Sequence, residues 1–221
     1  MEYVHSDVWD ASKTPSLGGK HYFVTFVDDF SRRLWVYTMK TKDEVLGIFL
    51  KWKAMIETQS GRKIKCLRTD NGGEYKNDLF QKICEENGIV RHFTVKNTPE
   101  QNGVAERMNQ TLLEKVRCML SNAGLGKEFW AEAITYACHL INRLPSAAIG
   151  GKTPFEKWYG KPAEDYGSLY VFGSIVYYHK RVKIGPKSKE SFIYGNYFWS
   201  QRIPFMVSKE KKNYFQQGCY L

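Results

Sequence analysis

The chain has 221 residues, 43% of them hydrophobic and 15% aromatic, a composition that excludes a disordered tail and suffices for one buried core with an appendage. No apolar run approaches the roughly 20 residues that a membrane helix needs, and Met1-Glu2-Tyr3 does not open a secretory signal, so a soluble intracellular protein is expected. The formal charge of +10 gathers at one end: residues 1–145 carry 21 basic against 18 acidic side chains and residues 146–221 carry 12 against 5, which suits either a phosphate-rich partner or a solvated lysine face.

Tyr3 to Trp9 alternates like a strand. Tyr22 to Val27 and Leu34 to Met39 are aromatic and β-branched runs bounded by turn residues, and the three together predict an antiparallel meander. Asp43 to Thr58 follows with apolar residues at helical spacing (Val45, Ile48, Phe49, Trp52, Met55, Ile56), closing before Ser60-Gly61. Ile64 to Thr69 predicts a short strand ending at Asp70. Asp78 to Asn87 predicts a helix stopped by Gly88, Ile89 to Thr94 a last core strand, and Val104 to Asn122 a long helix with Ala105, Met108, Leu112, Val116 and Met119 toward the sheet. Glu128 to Leu144 is a further helix, ended by Pro145. Beyond it, Gly150-Gly151 and Gly160-Lys161-Pro162 punctuate a linker with one short helix at Pro154 to Tyr159, and Val171 to Tyr178 and Ser191 to Phe198 look like strands. Strands first, then a βαβ region with flanking helices, is the order of an α/β core with a mixed five-stranded sheet. We therefore expect a core over residues 1–145, a linker over 146–165 and a small basic β-rich appendage over 166–221.

Five cysteines stand at 66, 84, 118, 138 and 219 without a CxxC, and no histidine pair has zinc-ligand spacing, so neither a zinc site nor a disulfide framework is expected. The acids are more telling. Asp7 lies in the middle of an apolar strand, where a charge is costly unless something compensates it. Asp70 ends a strand and precedes Asn71-Gly72-Gly73, a sequence that permits a tight turn beside a ligand. Glu106 begins a helix, with 35 residues between it and Asp70. Three carboxylates on separate elements can hold divalent cations, and such cations can drive attack on a phosphodiester. Asp28 and Asp29 are adjacent on an extended chain and point opposite ways; they are assigned to turn formation and to pairing with Arg32 or Arg33. Asp10, Glu74 and Glu100 are weaker decoys, and His5 and His92 are bystanders.

Around these acids run ordered blocks: Thr25-Phe26-Val27-Asp28-Asp29-Phe30-Ser31-Arg32, Arg68 to Tyr75, Gly88-Ile89, Asn97 to Asn109, Phe129-Trp130-Ala131-Glu132-Ala133, Tyr136-Ala137, Asn142-Arg143-Leu144-Pro145, Thr153-Pro154-Phe155-Glu156 and Val171-Phe172-Gly173. Over roughly its first 180 residues the chain resembles the integrase core of copia-type LTR retrotransposons, relatives of retroviral integrases whose acids follow an Asp, Asp, 35-residue gap, Glu pattern. It departs from that family at Asp10-Ala11, where a Gly-Pro turn is usual, and beyond about Ile184. Full-length integrases of the family carry an N-terminal His-His-Cys-Cys zinc module that these residues lack.

The resemblance implies an RNase H-like fold with Asp7, Asp70 and Glu106 as catalytic residues and ligands of two Mg2+ or Mn2+ ions, without an organic cofactor. It implies trimming of the element's LTR DNA ends and their transfer into target DNA, work in the nucleus, a homo-oligomer, and synthesis within a longer Pol polyprotein. Asn102 and Asn109 would touch DNA by the same resemblance. Lys180, Arg181, Lys183, Lys187 and Lys189 are candidates for contacts to its backbone, which position rather than read sequence. The competing readings are a catalytically inactive integrase-derived fragment that binds DNA, and an RNase H-like nuclease, for which neither Glu114 nor Glu132 makes a good fourth acid.

Overall fold

The computed structural model describes residues 2–10, 12–94 and 103–174, together with the backbone of three strands at 175–179, 188–193 and 206–208. The predicted meander is present: β1 (Tyr3–Trp9) pairs antiparallel with β2 (Tyr22–Asp28), which pairs antiparallel with β3 (Leu34–Met39). After helix α1 (Val45–Ser60), strand β4 (Cys66–Thr69) returns parallel to β1. Helix α2 (Asp78–Glu86) then leads to β5 (Val90–Phe93), parallel to β4. The result is a mixed five-stranded sheet in the order β3-β2-β1-β4-β5, the RNase H-like arrangement expected from the sequence.

The period of two along β1 divides its side chains between two cores. Val4 and Val8 join Val24, Phe26 and Leu67 against α1 and α2, where Trp52 stacks on Phe26 at 4.2 Å between ring centres. Trp9 goes to the other face with Phe23 and Val27, under α3 (Gly103–Ala123) and α4 (Trp130–Ile141). The buried residues of α3 are Ala105, Asn109, Leu112, Val116 and Leu120, so Ala105, Leu112 and Val116 lie on the face expected while Asn109 and Leu120 take the inner places expected of Met108 and Met119. Met108 and Met119 lie at the margin of that core, and a polar residue, Asn109, takes the central place.

Residues 146–165, expected as a linker, are stitched to the core, as is the start of the expected appendage up to Phe172. Helix α5 (Pro154–Tyr159) is capped by Thr153, whose Oγ1 accepts from the Glu156 amide, with Pro154 preset in the first turn. Trp158 packs edge-on against Trp35 of β3 at 5.2 Å, Arg143 forks onto Asp165 (2.6 and 3.0 Å), and Phe172 is buried beside Tyr136. Gly173 allows that last approach: it sits at φ 83°, and a Cβ there would fall 2.5 Å from that of Ala123. A second sheet in the order β6-β7-β8 is formed by β6 (Ile175–His179), β7 (Ser188–Ile193) and β8 (Met206–Ser208). The first two overlap the strands expected at 171–178 and 191–198, shifted by a few residues, and the third has no counterpart among the sequence expectations.

Candidate active site

Strand register brings the first two acids level. In the parallel pairing of β1 with β4, Tyr3 faces Cys66, Val4 faces Leu67 and His5 faces Arg68. Continuing that offset sets Asp7 beside Asp70, and level residues on parallel neighbours present their side chains to the same face. That face is the one covered by α3. Asn109 of α3 is 3% exposed; its Nδ2 donates to Asp7 Oδ2 at 2.8 Å, and its Oδ1 accepts from Thr25 Oγ1 of β2 at 2.9 Å. Glu106, one turn before Asn109, is close enough for its charge to act on Asp7.

The Asp7 carboxyl is pushed up to about 7, first by burial, then by the negative charge of Asp70, with Glu106 and Glu74 adding to it and the Asn109 hydrogen bond opposing. Such crowding of carboxylates is relieved by a proton on one of them or by a cation among them. Each aspartate has one oxygen committed, Asp7 Oδ2 to Asn109 and Asp70 Oδ1 to the amide of Gly72 at 3.1 Å; among the described residues the second oxygen of each accepts no hydrogen bond. These are hard oxygen donors of the kind Mg2+ and Mn2+ take. Among the described residues no three His, Cys, Asp or Glu side chains stand close enough together to hold an ion as a set. The arrangement is thus a carboxylate pair on the sheet, with the third acid in the first turn of the helix packed above it, and this donor chemistry fits divalent cations.

The loop after Asp70 is tightly bound in place. Asn71 Nδ2 donates to the Thr94 carbonyl, Arg91 Nη2 to the Tyr75 carbonyl at 3.0 Å, and the Tyr75 hydroxyl meets Ser6 Oγ at 2.6 Å. The absence of a side chain at Gly72 lets the Glu74 carboxylate fold over it, where a Cβ would lie 2.7 Å from it and displace that carboxylate. The Glu74 side chain is only 8% exposed and lies 3.9 Å from Lys42 Nζ, which also reaches Asp10 at 2.6 Å.

Several sequence expectations take their places around this core. Asp28 Oδ2 accepts from the amide and hydroxyl of Ser31, and Asp29 pairs with Arg32 at 3.0 Å, the turn-forming roles expected. Asp29 also holds His5 Nε2 at 3.0 Å, and His92 is bonded to the Tyr3 hydroxyl, so both histidines are engaged elsewhere. Asn109 corrects an expectation: a DNA-contacting residue must show an open polar group, whereas its amide is buried and spent on Asp7 and Thr25. Glu74, set aside as a decoy, lies within electrostatic reach of Asp7. Asn102, Lys180, Arg181, Lys183 and Lys187 lie outside the described residues, as does the side chain of Lys189. A polar residue at the core-facing position of α3 was the available signal for Asn109; Thr25 and Tyr75 stand in blocks that carry the resemblance, but no pattern gave them a role, and nothing in the sequence marked Ser6.

Residues 1–99 match the family model of the integrase core domain. The chain is 48% identical over 192 residues to the "Retrovirus-related Pol polyprotein from transposon TNT 1-94" of Nicotiana tabacum, a match that takes in 85% of this chain and 14% of that polyprotein. Among solved structures, a chain of a simian T-cell lymphotropic virus intasome in complex with PP2A regulatory subunit B56 gamma superposes with a TM-score of 0.57 at 19% identity, over 86% of this chain and 68% of that one. The HTLV-2 integrase catalytic core domain in complex with magnesium superposes with a TM-score of 0.53 at 20% identity, over 72% of this chain and 96% of that domain. At such identities the likeness is one of fold.

Proposed function

The chain belongs to the integrase core family, and we propose that it is the catalytic core of a copia-type retrotransposon integrase, using Asp7, Asp70 and Glu106 to process DNA 3′ ends and join them to target DNA. The observation that carries this reading is the hydrogen bond from Asn109 of α3 to one oxygen of Asp7, beside a β1–β4 register whose continuation past His5 and Arg68 would bring Asp7 level with Asp70. The magnesium bound by the HTLV-2 core supports Mg2+, or Mn2+, as the cation.

Asp7 and Asp70 would hold the cations from the sheet and Glu106 from the helix. Bound there, a pair of divalent cations supplies the activation of the attacking oxygen and the stabilisation of the leaving oxygen. The residues do the positioning. Asn109 and Thr25 fix the rotamer of Asp7, the Gly72 amide fixes that of Asp70, and burial keeps water from screening the charges. No side chain need form a covalent intermediate: water is the nucleophile for end trimming, and the freed 3′ hydroxyl for joining. DNA is the partner, a homo-oligomer the working state and the nucleus the place.

Replacing Asp70 with Asn tests the assignment. Mg2+-dependent nicking and strand transfer on a labelled LTR-end duplex should be lost while the melting temperature is kept; retained activity would remove Asp70 from the site. The absence of a closed three-acid group among the described residues favours the second reading, an inactive fragment that binds DNA. The same assay decides, because binding without any cleavage by the wild-type chain would support that alternative.

A further inference from the structure

The loop that carries Asp70 is joined to the strand that carries Asp7 by one buried hydrogen bond, and on it we infer that Tyr75 is a positioning residue for the aspartate pair. The inference rests on the metal site proposed above. Tyr75 follows Asp70 by five residues, is fully buried, and packs edge-on against Phe80 at 5.6 Å. Its hydroxyl meets the hydroxyl of Ser6, also fully buried, at 2.6 Å. Ser6 is the neighbour of Asp7 on β1, and successive residues of a strand face opposite ways, so the bond is made behind the sheet from the carboxylates.

The other end of Tyr75 is fixed too. Arg91 of β5 donates to its carbonyl, and the Arg91 guanidinium lies over Phe80 and Phe93 at 4.6 and 4.7 Å. The loop is also tied to the residue after β5 by Asn71, whose Nδ2 donates to the Thr94 carbonyl, while its backbone bonds are local turns, Tyr75 N to the Gly72 carbonyl and Lys76 N to that of Gly73. A second link to the end of β1 runs through Lys42, between Asp10 at 2.6 Å and Glu74 at 3.9 Å, with Asp10 largely in solvent. Ring packing would be served equally by phenylalanine. The hydroxyl adds a fixed distance between the Asp70 loop and β1, and hence between two carboxylates whose separation decides whether they share a cation. Tyr75 touches neither acid; it acts through the backbone of β1 and of its own loop.

The test is Mn2+ affinity, followed by the electron paramagnetic resonance of free Mn2+, for the full chain and the variants Tyr75→Phe, Ser6→Ala and the two combined. Melting temperatures are taken alongside, and Ile134→Val in the opposite core serves as a destabilised control. Each single variant should weaken Mn2+ binding by about 10-fold while lowering the melting temperature by only about 2–4 °C. The double variant should be no weaker than either single one, because the two hydroxyls form one interaction, and Ile134→Val should bind Mn2+ like the wild type. Unchanged affinity in Tyr75→Phe, an equal loss in Ile134→Val, or a double variant showing the two losses added would each overturn the inference and leave the proposed function standing. A wild-type chain that binds no Mn2+ would overturn both. Should Tyr75→Phe not fold, Ser6→Ala carries the same comparison.

Discussion

Asp7 is the residue at which fold and chemistry pull against each other. A strand in mid-sheet gives it burial, and Asp70, Glu106 and Glu74 give it negative neighbours, so its carboxyl rises to about 7 from an ordinary 3.8. A carboxyl whose folded value is raised favours the fold fully below its unfolded value and loses that contribution as pH climbs through the folded one. In EDTA the wild-type chain should therefore lose stability between about pH 4 and pH 7 relative to Asp7→Asn, and the variant should melt higher at pH 7.5. Thermal melts of both proteins across that range check it, and a wild type at least as stable as the variant at pH 7.5 would refute the electrostatic account. Asn109 acts on the same atom with the opposite sign. Asn109→Ala removes the bond to Asp7 and leaves Thr25 Oγ1 buried without its nearer acceptor, so unfolding in urea should show a loss of about 1–3 kcal/mol, with strand transfer reduced alongside.

At the scale of elements, α4 serves the sheet as well as covering it. β3 is an edge strand, and Asn142 at the end of α4 does for Leu34 what a further strand would: its Oδ1 accepts from the Leu34 amide at 2.9 Å, and its Nδ2 donates to the Leu34 carbonyl at 2.8 Å. Both backbone groups belong to a residue 1% exposed. Asn142→Leu should cost about 2–4 kcal/mol in urea unfolding, since the buried Leu34 amide loses its partner and the Leu34 carbonyl keeps only the weak Cys138 thiol donor at 3.4 Å; a loss under about 0.5 kcal/mol would mean that water replaces the amide. The elements were largely legible beforehand. Leu34 to Met39 and Pro154 to Tyr159 fall where their runs and caps predict them, and Asp7 and Glu106 lie, as expected, in β1 and in the first turn of α3. The phase of α3 was less legible, because successive residues are only about 100° apart on a helix and Met108 is the more apolar neighbour of Asn109. Tertiary hydrogen bonding to Asp7 and Thr25 decides between them, and a periodicity does not contain that information. Glu74 was hidden for a similar reason: its burial depends on folding back over Gly72, an approach between residues that look like an exposed turn.

Across the whole molecule, charge and site fall at different places in the chain. The core is nearly balanced, and seven of the ten excess positive charges lie in residues 146–221. The part of that segment up to Phe172 is packed onto the core through Arg143, Trp158 and Phe172, whereas Lys180, Arg181, Lys183, Lys187 and Lys189 come later. Changing those five to Gln should flatten the dependence of DNA affinity on salt, by about 0.9 in log-log slope for each phosphate no longer neutralised; an unchanged slope would remove them from the interface. Catalysis as proposed requires, above all, that acids from β1, the end of β4 and α3 share cations. Anomalous diffraction from a crystal of the chain soaked in Mn2+ tests this most directly. Density bounded by Asp7, Asp70 and Glu106 is the predicted result, and crystals that show Mn2+ elsewhere, or none at those carboxylates at saturating concentration, would contradict it.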